Sequence, residues 1–245
     1  MKPEGRTARP FESRMAMRSK TEVGETRIDG PLRGISTVDD GRLKKKLDEL
    51  AERAWDAAAI EARVRGLSAE GIPPHKLDPV EIVARKKEIL DRVQLRAEEY
   101  NFILKNCAQG TALALLEEFG LGSMEIIKAL TPFPGIGGTG EICGGITGSL
   151  IALGLFLGSN DRLDYGALND TILMAQKFMA RFEGEIGHLY CSDIMETVIL
   201  GYRLNPGESQ EAMITFAKAK GFEKCGLPPG IGARLAAEMM IDSMN

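Results

Sequence analysis

The spacing of apolar residues is the sequence feature that most constrains the fold. Apolar side chains recur every three or four residues from Leu43 to Val64 and again from Val83 to Phe119, which is the period of one face of an α-helix. No run alternates apolar and polar residues over a useful strand length. Helix-favouring Ala, Glu, Lys, Leu and Met dominate the composition. The sequence therefore predicts an all-α protein, a multi-helix bundle with an N-terminal helical extension.

Capping residues, glycines and prolines predict where the helices begin and end. Asp78, Pro79 and Glu81 form a helix start signal, and the apolar face that follows continues through Cys107 until Gly120 ends the helix. Residues 131–140 are expected to be a Pro/Gly loop. The other predicted helices cover residues 43–70, 123–130, 144–157, 165–182, 191–200, 208–220 and 230–244. In the helix 165–182 the residues expected to be buried are Leu168, Ile172, Ala175, Phe178 and Met179.

Changes in composition divide the chain into three predicted parts. Residues 1–40 lack periodicity and are rich in Arg, Gly, Glu and Thr, so we expect an extended or disordered arm. Residues 41–95 read as a charged helical extension. Residues 96–245 contain every cysteine of the chain and are predicted to form a four-cysteine helical redox domain.

The charge of the chain argues against nucleic-acid binding as its main activity. Its formal net charge is −4 over 245 residues, and its pI is about 5.5, so there is no overall basic character. The first thirty residues lack the apolar core of a signal peptide, and we expect a cytoplasmic protein with reduced thiols. Residues 142–160 carry no charge but are short and broken by glycines, so they predict a buried helix and no membrane span.

The main candidate functional residues of the sequence are four cysteines: Cys107, Cys143, Cys191 and Cys225. None belongs to a Cys-x-x-Cys motif, and no Cys-x-x-Cys-His is present, so covalent c-type haem is excluded. Cys143 and Cys191 stand at the predicted starts of helices, where unsatisfied N–H groups stabilise thiolates. Each cysteine taken alone is as readily a small buried core residue.

Other residues near the cysteines are weaker candidates. His188, three residues before Cys191, is an additional candidate metal ligand or proton donor, and Glu141 is a candidate proton shuttle. The run from Gly135 to Gly140 matches the G-x-G-x-x-G dinucleotide fingerprint, but no strand is predicted before it. We expect these glycines to let the backbone approach a buried centre or a neighbouring helix.

Together these residues resemble the redox-active protein family named for its C_GCAxxG_C_C cysteine pattern. The resemblance covers about residues 95–240, with Cys107 in Asn-Cys-Ala-Gln and Cys143 in Glu-Ile-Cys-Gly-Gly-Ile-Thr-Gly. Gly145 departs from the pattern, because the family more often has Ala there. The same module is similar to the core of split-Soret cytochromes, without their haem-attachment motifs. The resemblance implies an all-helical, dimeric redox protein whose cysteines bind an iron–sulfur cluster.

Three functional hypotheses follow. In the first, an electron-transfer protein binds an iron–sulfur cluster, [2Fe–2S] being one form, through all four cysteines, and Gly144 with the preceding Gly-rich loop offers backbone N–H groups to the sulfurs. In the second, a thiol–disulfide oxidoreductase cycles one cysteine pair. In the third, a non-catalytic accessory subunit uses the charged helices between residues 41 and 119 to dock a partner or to form a dimer. The sequence names neither a substrate nor the redox partner protein.

Overall fold

The computed structural model describes residues 38–75 and 77–244, so the arm predicted for residues 1–40 lies almost entirely outside the described residues. The regular structure of these residues is helical, which confirms the all-α prediction. Their one isolated β-bridge joins Ile142 to Tyr190. None of the described helices is both long and apolar enough to cross a membrane.

The helices follow one another with short connections. The first seven are α1 (Asp40–Glu52), α2 (Ala57–Glu70), α3 (Pro79–Ala84), α4 (Lys86–Leu104), α5 (Cys107–Phe119), α6 (Met124–Ala129) and the single turn α7 (Gly135–Gly138). The rest are α8 (Gly144–Leu157), α9 (Tyr165–Ile186), α10 (Cys191–Ile194) with its π-helical continuation Met195–Leu200, α11 (Gln210–Lys218), α12 (Gly221–Lys224) and α13 (Leu227–Asp242).

The centre of the fold is formed by α4, α5, α8 and α13, which pack closely against one another. Small residues allow this approach. A Cβ atom added at Gly232 of α13 would lie 2.7 Å from the carbonyl oxygen of Gly145 in α8, and one at Gly110 of α5 would lie 2.6 Å from the backbone nitrogen of Asn101 in α4. The uncharged glycine-rich segment is therefore a helix, as the sequence predicts, with glycines at its contacts; its buried residues end at Leu153, whereas Leu155 is 39% exposed.

Two helices predicted as continuous are each broken. The apolar face of residues 43–70 is interrupted between α1 and α2, because the side chain of Asp56 caps a new helix by accepting a hydrogen bond from the Ala59 N–H. The predicted helix 78–119 is split at Arg85 and again at Lys105, which has left-handed backbone angles (φ 54°). Asn106 then caps α5. Apolar spacing continues across all three breaks, so periodicity alone missed them.

Helix α9 is longer than predicted, and of its predicted buried residues only Phe178 is fully buried, while Ala175 and Met179 are partly buried. Its buried residues are Phe178, Phe182 and Ile186, whereas Leu168 and Ile172, predicted to be buried, are 52% and 46% exposed. The N-terminal half of α9 therefore presents apolar side chains to solvent, although its sequence is amphipathic.

The N-terminal helices α1 and α2 pack on the core through Leu43, Leu47, Leu50, Ile60 and Leu67. A buried carboxylate reinforces this contact. Glu98 of α4 is 1% exposed. It forms ion pairs with Lys46 of α1 (3.1 Å) and with Arg53 (2.7 Å), which immediately follows α1.

Candidate functional site: a cluster of four cysteines

All four cysteines converge at one end of the central helices. Cys107 begins α5, Cys143 immediately precedes α8, Cys191 begins α10, and Cys225 lies between α12 and α13. Every pair of these sulfurs is close enough for a charge on one to raise the pKa of another. Cys107 and Cys143 are buried, and Cys191 and Cys225 are partly buried. The group is called the sulfur centre below.

A short antiparallel pairing brings Cys143 and Cys191 side by side. The Cys143 N–H donates to the Leu189 carbonyl oxygen at 3.0 Å, and the Cys191 N–H donates to the Glu141 carbonyl oxygen at 2.7 Å. A third bond joins the Ser192 N–H to the Gly140 carbonyl oxygen at 2.9 Å. These bonds align the starts of α8 and α10, so two segments distant in sequence present their cysteines together.

Cys107 is held by a capped helix start. The side chain of Asn106 accepts from the Gln109 N–H and donates to the Thr131 carbonyl oxygen, both at 3.0 Å. The thiol of Cys107 accepts hydrogen bonds from its own N–H and from those of Ala108 and Gly144. These are the first N–H groups of α5 and α8, which are oriented to stabilise a negative charge.

Gly144 is fixed by its approach to Cys107. A Cβ atom at this position would overlap the Cys107 sulfur and would lie 2.7 Å from the Ala108 nitrogen. The residue predicted to offer its backbone to the centre therefore lies directly against it.

The thiols differ in their proton affinity. The pKa of Cys107 is lowered, first because Cys143 donates a hydrogen bond to it and also because backbone N–H groups point at its sulfur. The pKa of Cys143 is raised by that same hydrogen bond and by burial. Burial and the neighbouring charges raise the pKa of Cys225, and they raise that of Cys191 to about 12. Without a cation, one thiolate is therefore favoured and four are not.

A cavity of about 200 Å³ opens beside the sulfur centre. Cys107, Cys191 and Cys225 line it, whereas Cys143 does not. Its other walls are mainly apolar, and Lys105 is the one cationic residue among the described residues that form them. The remaining wall residues that bear on the chemistry are Met195, Met213, Phe216, Phe222, Asn101 and Asn205.

The Gly-rich loop forms one wall of this cavity. Gly135 and Gly137 have positive φ angles of 52° and 73°, and a Cβ atom at Gly135 would lie 3.5 Å from the Cys191 sulfur. Asn205 donates to the Gly138 carbonyl oxygen at 3.0 Å and so fixes the loop. No strand precedes the loop in the described chain, so the loop lacks the structural context that a dinucleotide-binding fingerprint requires. Its glycines instead bring the backbone close to a cysteine, as expected.

The two weaker candidates lie differently. His188 lines a separate surface cavity together with Asp40, Leu43 and Thr197 and does not border the cavity beside the sulfur centre. Glu141 contributes its backbone carbonyl oxygen to the pairing with Cys191, and the residue is exposed. Sequence reasoning missed Lys105 and Asn205, because neither stands in a recognisable motif.

The four thiols offer donors for an iron–sulfur cluster, the cofactor that the resemblance implies. Within residues 38–75 and 77–244, no group of three or more His, Cys, Asp or Glu side chains is placed to hold a single metal ion. An iron–sulfur cluster takes its thiolates on different iron atoms. Four cysteine sulfurs are the usual set for such a cluster, and N–H groups directed at sulfur are a common second layer. The residues present therefore fit this cofactor.

The fold and the sulfur centre define a class of all-helical redox proteins with a buried group of dispersed cysteines. A protein-family model described as "Putative redox-active protein (C_GCAxxG_C_C)" matches residues 105–236, more than half of the chain. The chain belongs to this family, and the resemblance drawn from its cysteine pattern is confirmed. Among curated proteins and among solved structures, no match was found.

Proposed function

We propose that this protein transfers electrons through an iron–sulfur cluster bound by Cys107, Cys143, Cys191 and Cys225. The observation that carries the proposal is the convergence of four cysteines from four separate elements on one buried place. Four structural thiols would gain nothing from being adjacent, whereas a cluster needs them together. When bound, such a cluster supplies one-electron oxidation and reduction.

The residues of the chain have distinct tasks in this proposal. Cys107 and Cys143, both buried, keep one side of the centre dry. The N–H groups of Ala108 and Gly144 point at the Cys107 sulfur and offset negative charge there, which favours the reduced form. Cys191 and Cys225 are only partly buried, so an electron partner has its shortest approach to the centre from their side.

Iron and acid-labile sulfide content, with a visible absorption spectrum, tests the proposal on protein prepared without oxygen. We expect stoichiometric iron and sulfide in the wild type and a large loss of both in Cys143→Ser. Ser149→Ala is the matched control, because it removes a buried hydroxyl group from α8 that donates only to the Gly145 carbonyl oxygen. A colourless, iron-free wild type with four titratable thiols refutes the cluster.

Thiol–disulfide chemistry is the second candidate, supported by one observation. The Cys143 thiol donates a hydrogen bond to Cys107, whose pKa is lowered, while the pKa of Cys143 is raised. The hydrogen bond shows that the two sulfurs are adjacent, as a disulfide-forming pair must be. Both sulfurs are buried, however, which restricts access by a protein disulfide. An iron-free protein that loses two thiols on mild oxidation would favour this function.

Homodimer formation, which the resemblance implies, is also part of the proposal. The apolar residues exposed near the start of α9 support it, because such a patch is typical of an interface; they are Leu163, Tyr165, Leu168, Ile172 and Leu173. We expect the mass in solution to be that of a dimer and Leu168→Glu with Ile172→Glu to give a monomer. A monomeric wild type refutes it. We further propose a cytoplasmic location, which suits four free thiols.

A further inference from the structure

The cavity beside the sulfur centre is large enough for a small molecule. Its volume is about 200 Å³, and an apolar cavity of roughly 150 Å³ in a protein interior binds a benzene molecule. One substituted six-membered ring therefore fits. Three of the four cysteines line this space, and Cys143 does not.

The side chains that line the cavity favour a flat, apolar ligand. Phe216 of α11 and Phe222 of α12 meet edge to face with ring centroids 5.0 Å apart, and Met213 extends the same apolar wall. Met195 belongs to the π-helical segment that follows Cys191. Segments of π-helix are frequent at functional sites. Aromatic and thioether side chains together favour a planar ring as ligand.

Lys105 is the polar group available to a ligand. Its ammonium nitrogen lies 4.1 Å from the ring centroid of Phe102 and 4.6 Å from that of Phe222. No carboxylate in the described part of the chain forms an ion pair with it, although Glu223 lies close enough to act on its charge. Each of the two amides already donates one hydrogen bond within the protein, Asn101 to the Phe222 carbonyl oxygen and Asn205 to that of Gly138.

We propose that this cavity binds a small planar molecule of the quinone class beside the sulfur centre. Its ring packs against Met213, Phe216 and Phe222, and one carbonyl oxygen accepts a hydrogen bond from the ammonium group of Lys105. A neutral oxygen suits this lysine, because Glu223 already offsets part of its charge. The assignment goes beyond the proposed function, because it concerns a separate ligand site, and it requires that whatever the sulfurs bind leaves this cavity free.

Isothermal titration calorimetry with two matched probes tests the assignment on protein isolated without oxygen. Duroquinone has four ring methyl groups, so thiols do not add to its ring, and durene is the same ring without the carbonyl oxygens. We expect the wild type to bind duroquinone at least tenfold more tightly than durene, which corresponds to about 1.4 kcal/mol. Lys105→Met should abolish this preference and retain the binding of durene.

Two further variants control the experiment. Lys128→Met removes an exposed lysine of α6 and should leave the tenfold preference unchanged. Met213→Trp should weaken the binding of both probes by filling the cavity, with circular dichroism showing that the variant is folded. Iron and sulfide are measured on the same samples as the binding of the two probes. The absence of a cluster refutes the proposed function, and it is measured separately from the binding of duroquinone and durene.

Three results overturn the assignment. Equal affinity of the wild type for duroquinone and durene removes the role of Lys105. No binding of either probe removes the site. Binding that appears only after bound metal has been stripped from the protein shows that the cavity is the seat of the metal centre itself.

Discussion

The absence of a side chain at position 144 allows the backbone of α8 to lie against the Cys107 sulfur. The Gly144 N–H points at the Cys107 sulfur, and any Cβ atom there would overlap that sulfur. The close approach, rather than an unusual backbone angle, requires glycine. The same helix contains Gly154, where an added Cβ atom would meet nothing within 4 Å, so α8 provides its own comparison.

Gly144→Ala should therefore destabilise the protein by about 1–3 kcal/mol, the usual cost of inserting a methyl group into a packed core. Gly154→Ala should stabilise it by about 0.5–1 kcal/mol, because alanine loses less conformational freedom in a helix. Urea unfolding of both variants measures the difference. Equal effects in the two variants would show that the contact between Gly144 and Cys107 is not tight.

Tyr100 gives the protein a predicted loss of stability at high pH. The residue is fully buried, and its pKa is raised, first by burial and then by its hydrogen bond to Glu117. Its hydroxyl group also accepts from Arg63 at 2.8 Å. An unfolded tyrosine loses its proton near pH 10, whereas the folded one keeps it. Stability is thus complete below pH 10 and falls above it, by at most about 1.4 kcal/mol per pH unit.

Tyr100→Phe tests this directly. The variant should be less stable at pH 7 by about 1–2 kcal/mol, because Glu117 loses a hydrogen-bond donor, and its stability should fall less between pH 9 and pH 11 than that of the wild type. Tyr165→Phe, which changes a tyrosine 68% exposed, should behave as the wild type throughout. Parallel pH profiles of Tyr100→Phe and the wild type would contradict the prediction.

The junction between α4 and α5 determines where Cys107 lies. Lys105 turns the chain with left-handed backbone angles, and Asn106 starts a new helix. In a continuous helix, Cys107 would have no free N–H groups around it. The break converts an interior helical position into a helix N-terminus, and three of the four cysteines (Cys107, Cys143 and Cys191) thus stand at helix starts.

Asn106→Ala should cost about 2 kcal/mol, because it removes both the helix cap and the bond to the Thr131 carbonyl oxygen. Ser209→Ala removes an exposed cap, which binds the Ala212 N–H of α11, and should cost about 1 kcal/mol or less. Chemical unfolding compares the two. In iron-free protein, Cys107 should also react faster with iodoacetamide in Asn106→Ala than in Ser209→Ala.

Much of this helical architecture could be predicted from sequence, since Gly144–Leu157 agrees with its predicted bounds and Cys191–Leu200 is helical throughout. The breaks at Asp56 and Asn106 could not be predicted, because the apolar residues keep the same helical spacing on both sides of each break. A capping residue was the only local signal. The exposed start of α9 was also missed, since amphipathic spacing says which side chains share a face and not what covers that face.

Across the molecule, a buried carboxylate links the N-terminal helices to the sulfur centre. Glu98 of α4 binds Lys46 and Arg53, and a Cβ atom at Gly226, next to Cys225, would lie 3.7 Å from the Glu98 side chain. The charged segment 41–95, predicted as an extension, therefore has a polar anchor close to one cysteine. Dispersed charges in the sequence gave no sign of this contact.

Glu98→Ala should destabilise the protein by about 3 kcal/mol, because it leaves the half-buried Arg53 without its buried partner. Asp48→Asn is the control, since Asp48 pairs with Lys44 on an exposed surface and should change stability by less than about 1 kcal/mol. Guanidinium unfolding gives both values. A loss below 1 kcal/mol for Glu98→Ala would mean that α1 is held by its leucines alone.

The candidate site as a whole could be predicted only from the family resemblance. Spacings of 36, 48 and 34 residues between successive cysteines carry no geometric information, and each cysteine alone resembles a small core residue. What joins them is the packing of α5, α8 and α13 and the bridge between Ile142 and Tyr190. The cavity and Lys105 arise from the same tertiary contacts and have no motif.

The convergence of the four cysteines also has a consequence for the order of folding. Residues 107 and 225 are 118 positions apart in sequence, and joining such distant residues requires the closure of a long loop. The four sulfurs become neighbours only when α5, α8 and α13 have packed together and the bridge between Ile142 and Tyr190 has formed. No single helix of the described chain therefore presents the sulfur centre, which forms together with the tertiary fold.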